Sequence, residues 1–425
     1  MIKDFIEELK WRGMIQDIMP GTQDCLNKDM TSAYIGFDPT ADSLHIGNLV
    51  QIMILVHFQN CGHKPVALVG GATGMVGDPS GKSAERNLLD EKTLNHNLES
   101  VKKQLEKFLK FEGENAAEVV NNFDWFKDFS FLEFIRDVGK HITVNYMMAK
   151  DSVKTRLETG LSFTEFSYQL IQGYDFYHLW KNKNIKLQLG GSDQWGNIVT
   201  GTELIRKKGK GEAFALTTPL ITKADGSKFG KSEGGNIWLD AEKTSPFKFY
   251  QYWINASDED VKKYIKIFSL KGKEEISNLI EKHKEAPHLR LLQKTLAEEI
   301  TERVHSKADL EIAQQATNIL FGKSTFEDIK NLNEKTFNEV FDGVPTAEVS
   351  QNRLKQGLNI VDALVSESNF LNSNGEAIRA LKQNAISVNK QKVGKDYQLK
   401  SDDLINGKYI LLNKGKKNTY VLKFI

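Results

Sequence analysis

Ala33-Tyr34-Ile35-Gly36-Phe37, then Asp38-Pro39-Thr40-Ala41-Asp42-Ser43-Leu44-His45-Ile46-Gly47-Asn48, is the stretch on which the fold turns. Its first five residues read as a strand. Ile46, Leu49, Val50, Met53 and Ile54 then recur at helical spacing until Cys61-Gly62 closes the helix. Between the two lies a polar turn with two carboxylates, a threonine and a histidine. A strand feeding a helix through such a turn is the unit from which parallel sheets are built.

The unit recurs. Val66 to Val69 reads as a second strand, closed by Gly70-Gly71, and Val119 to Asn121 as a candidate third. Lys186 to Leu189 is another, followed by Gly190-Gly191 and a helix from about Gln194 to Lys208. Such a series predicts an α/β fold, a parallel sheet with helices on both faces and ligands beyond the carboxyl ends of its strands. From about Pro246 to Leu320 the pattern is helical. Gly322 to Val349 is polar and mixed, with Gly343 and Pro345, and reads as a linker. A last small unit begins near Arg353 and ends in short alternating segments, Tyr409 to Leu412 and Tyr420 to Phe424.

Charge divides the chain unevenly. Over all 425 residues Lys+Arg number 57 and Asp+Glu 56, a net charge of +1. Residues 353–425 hold 13 basic and 6 acidic residues, so the tail is +7 and the body −6. A basic tail on an acidic body suits nucleic acid as well as it suits a solvated lysine-rich surface. The two cysteines, Cys25 and Cys61, have neither disulfide nor zinc-ligand spacing. His283 and His288 read as surface residues. Asp4, Glu7, Glu8 and Lys10 interrupt the apolar start, so no signal peptide is expected. No apolar run reaches membrane-spanning length. The expected location is cytoplasmic.

Two lysine-bearing glycine loops stand out: Gly77-Asp78-Pro79-Ser80-Gly81-Lys82-Ser83 and Gly226-Ser227-Lys228-Phe229-Gly230-Lys231-Ser232. A Walker A loop needs four residues between its first glycine and the Gly-Lys pair. These have three, with Val76 and Asp225 where that glycine would stand, so a P-loop nucleotidase is rejected. Both loops still suit a triphosphate in another geometry. In the turn after the first strand, Gly47 lets a flat base approach the backbone, and His45 at the helix start can donate to phosphate oxygens.

The turn from Asp38 to Asn48 resembles the HIGH signature of class I aminoacyl-tRNA synthetases. Lys228 to Ser232 resembles their KMSKS loop, in the expected order along the chain. The segment Leu161 to Asp175 reads as a helix with Tyr168, Gln172 and Asp175 on one stripe at i, i+4 and i+7. With Tyr34, Gly36, Asp38, Asp78 and the run from Gly190 to Gly196, the pattern resembles bacterial-type tyrosyl-tRNA synthetases over nearly the full chain. Asn48 stands where the signature often has its second histidine, and Phe229-Gly230 replaces Met-Ser. The nearest rival, tryptophanyl-tRNA synthetase, shares the fold and both signatures. It gives no reason to pair Tyr34 with Asp175, and generally lacks the basic tail. A non-catalytic RNA-binding relative is disfavoured by the retained His, Gly and Lys residues.

The resemblance implies a Rossmann-like catalytic domain over 1–222, the signature loop and a helical anticodon-region domain over 223–322, a linker over 323–352 and a small α+β RNA-binding domain over 353–425. It implies tyrosine–tRNA ligation, with ATP and magnesium as substrate complex, no organic cofactor and no named metal ligand. Tyr34 and Asp175 would hold the phenol of L-tyrosine, and Asp78, Tyr168 and Gln172 its ammonium, with Gln194 near the carboxyl group. Gly36, Asp38, Gly47, Asn48, Gly191 and Asp193 would meet ATP. Thr40 and His45 would bind the γ-phosphate, and Lys82, Arg86, Lys228 and Lys231 would close on the pyrophosphate. Arg379, Lys382 and Lys390 would meet the tRNA for tyrosine. A homodimer is implied, with 123–166 as candidate interface.

Overall fold

A computed structural model describes residues 2–78, 80, 89–151, 153–154, 160–232, 235–321, 326–330, 332–415 and 418–425. It divides into two compact units, Met1–Thr244 with Tyr252–Val304, and Ser245–Gln251 with His305–Ile425.

The first unit is built on a six-stranded sheet of β1 (Asp17–Ile18), β2 (Ser32–Phe37), β3 (Lys64–Val69), β4 (Glu118–Asn121), β5 (Ile185–Gly191) and β6 (Phe214–Thr218). The order is β1-β6-β5-β2-β3-β4. All neighbours are parallel except β1, which runs antiparallel to β6. Four of these strands were legible as apolar runs. β6 is buried along its whole length and shows no alternation, and β1 has only two residues, too short for any period. The helix Ile46–Asn60 is apolar almost all round and correspondingly buried, as a helix packed on both sides requires.

The chain leaves β2 towards β3, while β5 lies on the other side of β2. The order reverses between β2 and β5, so a crevice opens at their carboxyl ends. The helix Phe163–Lys183 starts at Ser162, whose hydroxyl accepts from the Glu165 amide at 3.2 Å, and stops at Asn184 in the left-handed region. After β5 a short 3-10 turn, Ser192–Gln194, precedes the helix Trp195–Leu204, which ends in a π-type turn over Ile205–Gly209. These two helices approach closely through glycine. A Cβ on Gly201 would lie 2.8 Å from Cβ of Phe176, and one on Gly173 would lie 3.3 Å from the Thr200 methyl.

His283, expected at the surface, is 1% exposed, and its Nε2 lies 3.0 Å from Asp258 Oδ1. It shares the buried face of the helix Lys273–Glu285 with Ile276, one heptad away.

The second unit ends in a five-stranded sheet. In spatial order its strands are Gln391–Lys392, Ile386–Val388, Tyr409–Lys414, Asn418–Phe424 and Thr346–Val349. The last pair is parallel and the others antiparallel. Ile386, Val388, Ile410, Leu412, Leu422 and Phe424 pack against Ala377 and Leu381 of the helix Asn374–Lys382. The stretch read as a linker holds the helices Phe326–Lys330 and Glu334–Val340 and one strand of this sheet. Its polar composition is that of an edge strand and short surface helices. Residues 305–321, read as part of the helical domain, fall in this second unit.

Replacing Gly201 by Ala should overpack the helix pair. The cost of about 1–3 kcal/mol is partly offset by about 1 kcal/mol of helix propensity. A net loss of up to about 2 kcal/mol in urea denaturation is expected.

Candidate active site

Tyr34 points from the middle of β2 into the layer between sheet and helices, beside Val66 of β3 and Gln188 of β5 in register. It is 1% exposed, its ring edge-on to Phe176 at 5.5 Å. Among the described residues its hydroxyl has no hydrogen-bond partner, nor does Oε1 of Gln188 or of Gln172. The residue before Phe176 on the same helix is Asp175, also 1% exposed. Asp175 Oδ2 accepts from Asn122 Nδ2 at 3.0 Å, and Oδ1 from the Trp125 indole at 2.8 Å. Burial raises the carboxyl from its ordinary 3.8 to about 8, against the lowering effect of these two donors. Burial, then the Asp175 charge, raises the Tyr34 phenol well above its usual range.

Asn122 extends this arrangement. Its carbonyl accepts from the Ala72 amide at 2.7 Å, and Nδ2 also reaches the Thr73 hydroxyl at 3.1 Å. Thr73 donates to Asp38 Oδ1 at 2.8 Å, and Tyr168 donates to Asp38 Oδ2 at 2.9 Å. A continuous polar path thus links Asp175 to Asp38 across the ends of β2, β3 and β4. Tyr168 is raised well above its usual range by burial and then by the charges of Asp38, Asp78 and Asp175. The carboxylates of Asp38 and Asp78 beside this phenol make a negative pocket, suited to an ammonium. Asp78 accepts from Gln194 Nε2 at 2.7 Å and from the Ser80 amide at 2.9 Å. Of the residues expected to meet ATP, Asp38 therefore bonds directly to Tyr168.

At the mouth of the crevice Gly36 is exposed, and the Thr40 amide donates to the Asp38 carbonyl at 2.9 Å. Gly191 is buried at the end of β5, where a Cβ would lie 2.6 Å from Asp193 Oδ1. His45 caps the helix Ile46–Asn60, its amide donating to Asn48 Oδ1 at 3.1 Å. The His45 ring folds over Gly47, where a Cβ would come within 2.7 Å of it. The second lysine loop reaches the same place. Gly230, in the left-handed region at φ 82, brings its Cα so near that a Cβ would lie 3.2 Å from the Gly47 amide nitrogen. The Ile46 amide donates to Ile237 and the Ile237 amide to Gly230, tying the two motifs together through backbone. Lys228 and Lys231 flank Gly230 and are exposed. Lys82 and Arg86 lie outside the described residues. In the second unit Arg379 and Lys382 are exposed on the last turn of their helix. Lys390, half-buried, sits with Asn389 in a two-residue hairpin turn with both φ positive.

A family model described as tRNA synthetases class I (W and Y) matches residues 26–322, and one described as the tyrosine–tRNA ligase SYY-like C-terminal domain matches 336–422. The tyrosine–tRNA ligase of Flavobacterium johnsoniae is 63% identical over 431 residues, covering 100% of both chains. The chain belongs to the tyrosine–tRNA ligase family. The Flavobacterium psychrophilum ligase is 62% identical over 428 residues, covering 99% of each chain. Among solved structures, a C-terminally truncated mitochondrial tyrosyl-tRNA synthetase from Aspergillus nidulans is 31% identical with a TM-score of 0.69, over 75% of this chain and 94% of that one. The tryptophan-specific rival is set aside by these full-length relatives and by the match of the tail.

Asn122, Trp125 and Gln188 escaped the sequence reading. Asn122 and Trp125 follow a weak strand, and nothing local ties them to Asp175, fifty or more residues on. A lone glutamine inside an apolar strand, Gln188, was the one available signal.

The raised Asp175 carboxyl has a consequence for pH. Its stabilising contribution is fully present below the unfolded value near 3.8 and is lost as pH rises through about 8. Urea denaturation of the ligand-free protein should therefore show wild type losing stability relative to Asp175→Asn across that window. A difference that stays flat means Asp175 is ionised throughout.

Proposed function

We propose that the chain activates L-tyrosine with ATP and passes the tyrosyl group to the 3′ end of the tRNA for tyrosine. The observation that carries this reading is the pair at the base of the pocket. A buried carboxylate is held rigidly by Asn122 and Trp125, beside a buried Tyr34 hydroxyl with no partner among the described residues. A substrate phenol entering there can donate to Asp175 and share a hydrogen bond with Tyr34. At the other end Asp78, Tyr168 and Gln172 take the ammonium. Leaving such groups unpaired is what would exclude phenylalanine.

Gln194 then stands near the carboxylate, which attacks the α-phosphorus of ATP. The P–O bond to pyrophosphate breaks and tyrosyl-adenylate forms. Gly36, Asp38, Gly47, Asn48, Gly191 and Asp193 line the crevice for the adenosine. Thr40 and His45 meet the γ-phosphate at a helix amino terminus, where the dipole favours an anion. Lys82, Arg86, Lys228 and Lys231 neutralise the pyrophosphate as charge develops. A terminal ribose hydroxyl of tRNA next attacks the carbonyl and AMP departs. Catalysis is positioning and electrostatics, without a covalent enzyme intermediate. Among the described residues no three His, Cys, Asp or Glu side chains are grouped to hold a metal ion. Magnesium would enter on the phosphates of ATP, and no step here runs through it.

The tail unit, with Arg379, Lys382 and Lys390, is the proposed tRNA contact, and 223–304 the helical anticodon-region part. No helix among the described residues is long and apolar enough to cross a membrane, and the proposed location is the cytoplasm. We further propose a homodimer through 123–166. An apolar groove of about 700 Å³ there is lined by Phe126, Phe129, Phe131, Phe134, Phe163 and Phe166. Phe131 and Phe163 are 65% and 66% exposed and Leu132 is 78% exposed, a patch of the kind that marks a protein interface.

Tyrosine-dependent ATP–pyrophosphate exchange tests the activity. His45→Ala should lower it by about 10²–10³-fold with tyrosine affinity retained, and exchange at wild-type rate in that variant would remove His45 from the phosphate site. Phe131→Glu should give a monomer in sedimentation velocity, and an unchanged dimer would place the interface elsewhere.

A further inference from the structure

The second lysine loop carries an aromatic side chain that phosphate binding does not need. Phe229 lies in an otherwise polar stretch between Asp225 and Gly235. Its ring stacks on Phe268 with centroids 5.6 Å apart and planes at 17°. Tyr264, Tyr252 and Trp253 surround it at 5.0, 6.1 and 6.1 Å. The next residue is fastened to the same box, because the Gly230 amide donates to the Tyr252 hydroxyl at 3.0 Å. Gly230 also meets Gly47 at the amino end of the first helix. Gly226 and Gly235, at φ 80 and 101, bound this segment, and a Cβ on either would meet nothing within 4 Å. The loop thus has a permissive glycine on each side, backbone pairing of Lys228 with Thr222 and of Lys231 with Asn236, and a side-chain anchor at Phe229 between the two lysines.

The box is itself held from behind. The carboxyl end of the helix Asp258–Phe268 is gripped by three donors from elsewhere in the unit. Arg12 reaches the Ser269 carbonyl at 2.9 Å, Arg303 the Phe268 carbonyl at 2.8 Å, and His57 lies 3.0 Å from the Ile267 carbonyl.

Building on the tyrosine-activating function above, we propose that Phe229 is a positioning residue. Its seat among Tyr252, Trp253, Tyr264 and Phe268 sets where Lys228 and Lys231 stand relative to the amino end of the helix Ile46–Asn60, and so governs adenylate formation. Lysine side chains on a segment flanked by glycines sample many positions, and ring stacking removes most of that freedom before substrate arrives. Displacing a charge-stabilising group by about 1 Å costs about 10²-fold in rate. The helical segment thereby sets the geometry of the phosphate cations.

The test is tyrosine-dependent pyrophosphate exchange in Phe229→Ala. The maximal rate should fall about 10- to 100-fold, with tyrosine affinity by equilibrium dialysis within about twofold of wild type. Phe229→Met, which refills the box with a flexible apolar chain, should recover most of the rate. In a cycle with Tyr252→Ala, the double variant should be no slower than Phe229→Ala, since both remove one anchor. A wild-type rate in Phe229→Ala, multiplicative losses in the double variant, or an equal loss of tyrosine affinity would each overturn the proposal. An inactive wild type overturns the functional reading and this one with it, whereas an active wild type matched by Phe229→Ala overturns this one alone.

Discussion

Burying a carboxylate is among the more expensive things a fold can do, and Asp175 is almost entirely withdrawn from water. Two N–H donors make it tolerable, and neither belongs to its own helix. Strand β4 must end where Asn122 can reach under the helix Phe163–Lys183. Once Asn122 is there, its carbonyl fixes the turn after β3 through Ala72, and its amide reaches Thr73, which bonds Asp38 at the end of β2. A single desolvated carboxyl group thereby sets the mutual position of three strand ends and the helix above them. The two ends of the proposed tyrosine pocket are parts of one hydrogen-bonded body.

The two signature motifs lie more than 180 residues apart, yet they meet through main chain. The Ile46 amide, the Ile237 amide and carbonyl, and the Gly230 carbonyl form one ladder, and two glycines permit the close approach. Backbone contact of this kind does not depend on long side chains finding each other. It leaves the side chains of Lys228 and Lys231 exposed on either side of the contact.

The legible parts of the chain were those in which one local pattern carried the whole message. Strands β2, β3 and β5 are apolar runs closed by glycine or a polar turn, and the stripe Tyr168, Gln172, Asp175 repeats at helical spacing. β6 was missed because burial on both faces erases alternation, and β1 because two residues have no period. Thr346–Val349 looked like linker because an edge strand can be polar, and only its pairing with Asn418–Phe424, seventy residues later, makes it part of a sheet. His283 was misjudged because a buried histidine facing Asp258 has the same local sequence as an exposed one. Asn122 and Trp125 were invisible for the deeper reason that their role is defined by another element. Asp38, assigned towards the nucleotide by resemblance, also accepts a hydrogen bond from Tyr168, a link that no local pattern announces.

The donors around Asp175 also bear on engineering. Widening the pocket for a phenylalanine analogue with a large para substituent invites removal of Asp175. That change strands the Asn122 amide and the Trp125 indole N–H in a dry interior, at about 1–3 kcal/mol for each unsatisfied group. Asn122 cannot simply be made apolar in response, since its carbonyl also holds the Ala72 amide. Respecifying the enzyme is therefore a problem of re-housing three polar groups on three elements, and libraries confined to residues that touch the substrate will select against their own best solutions through loss of folded protein.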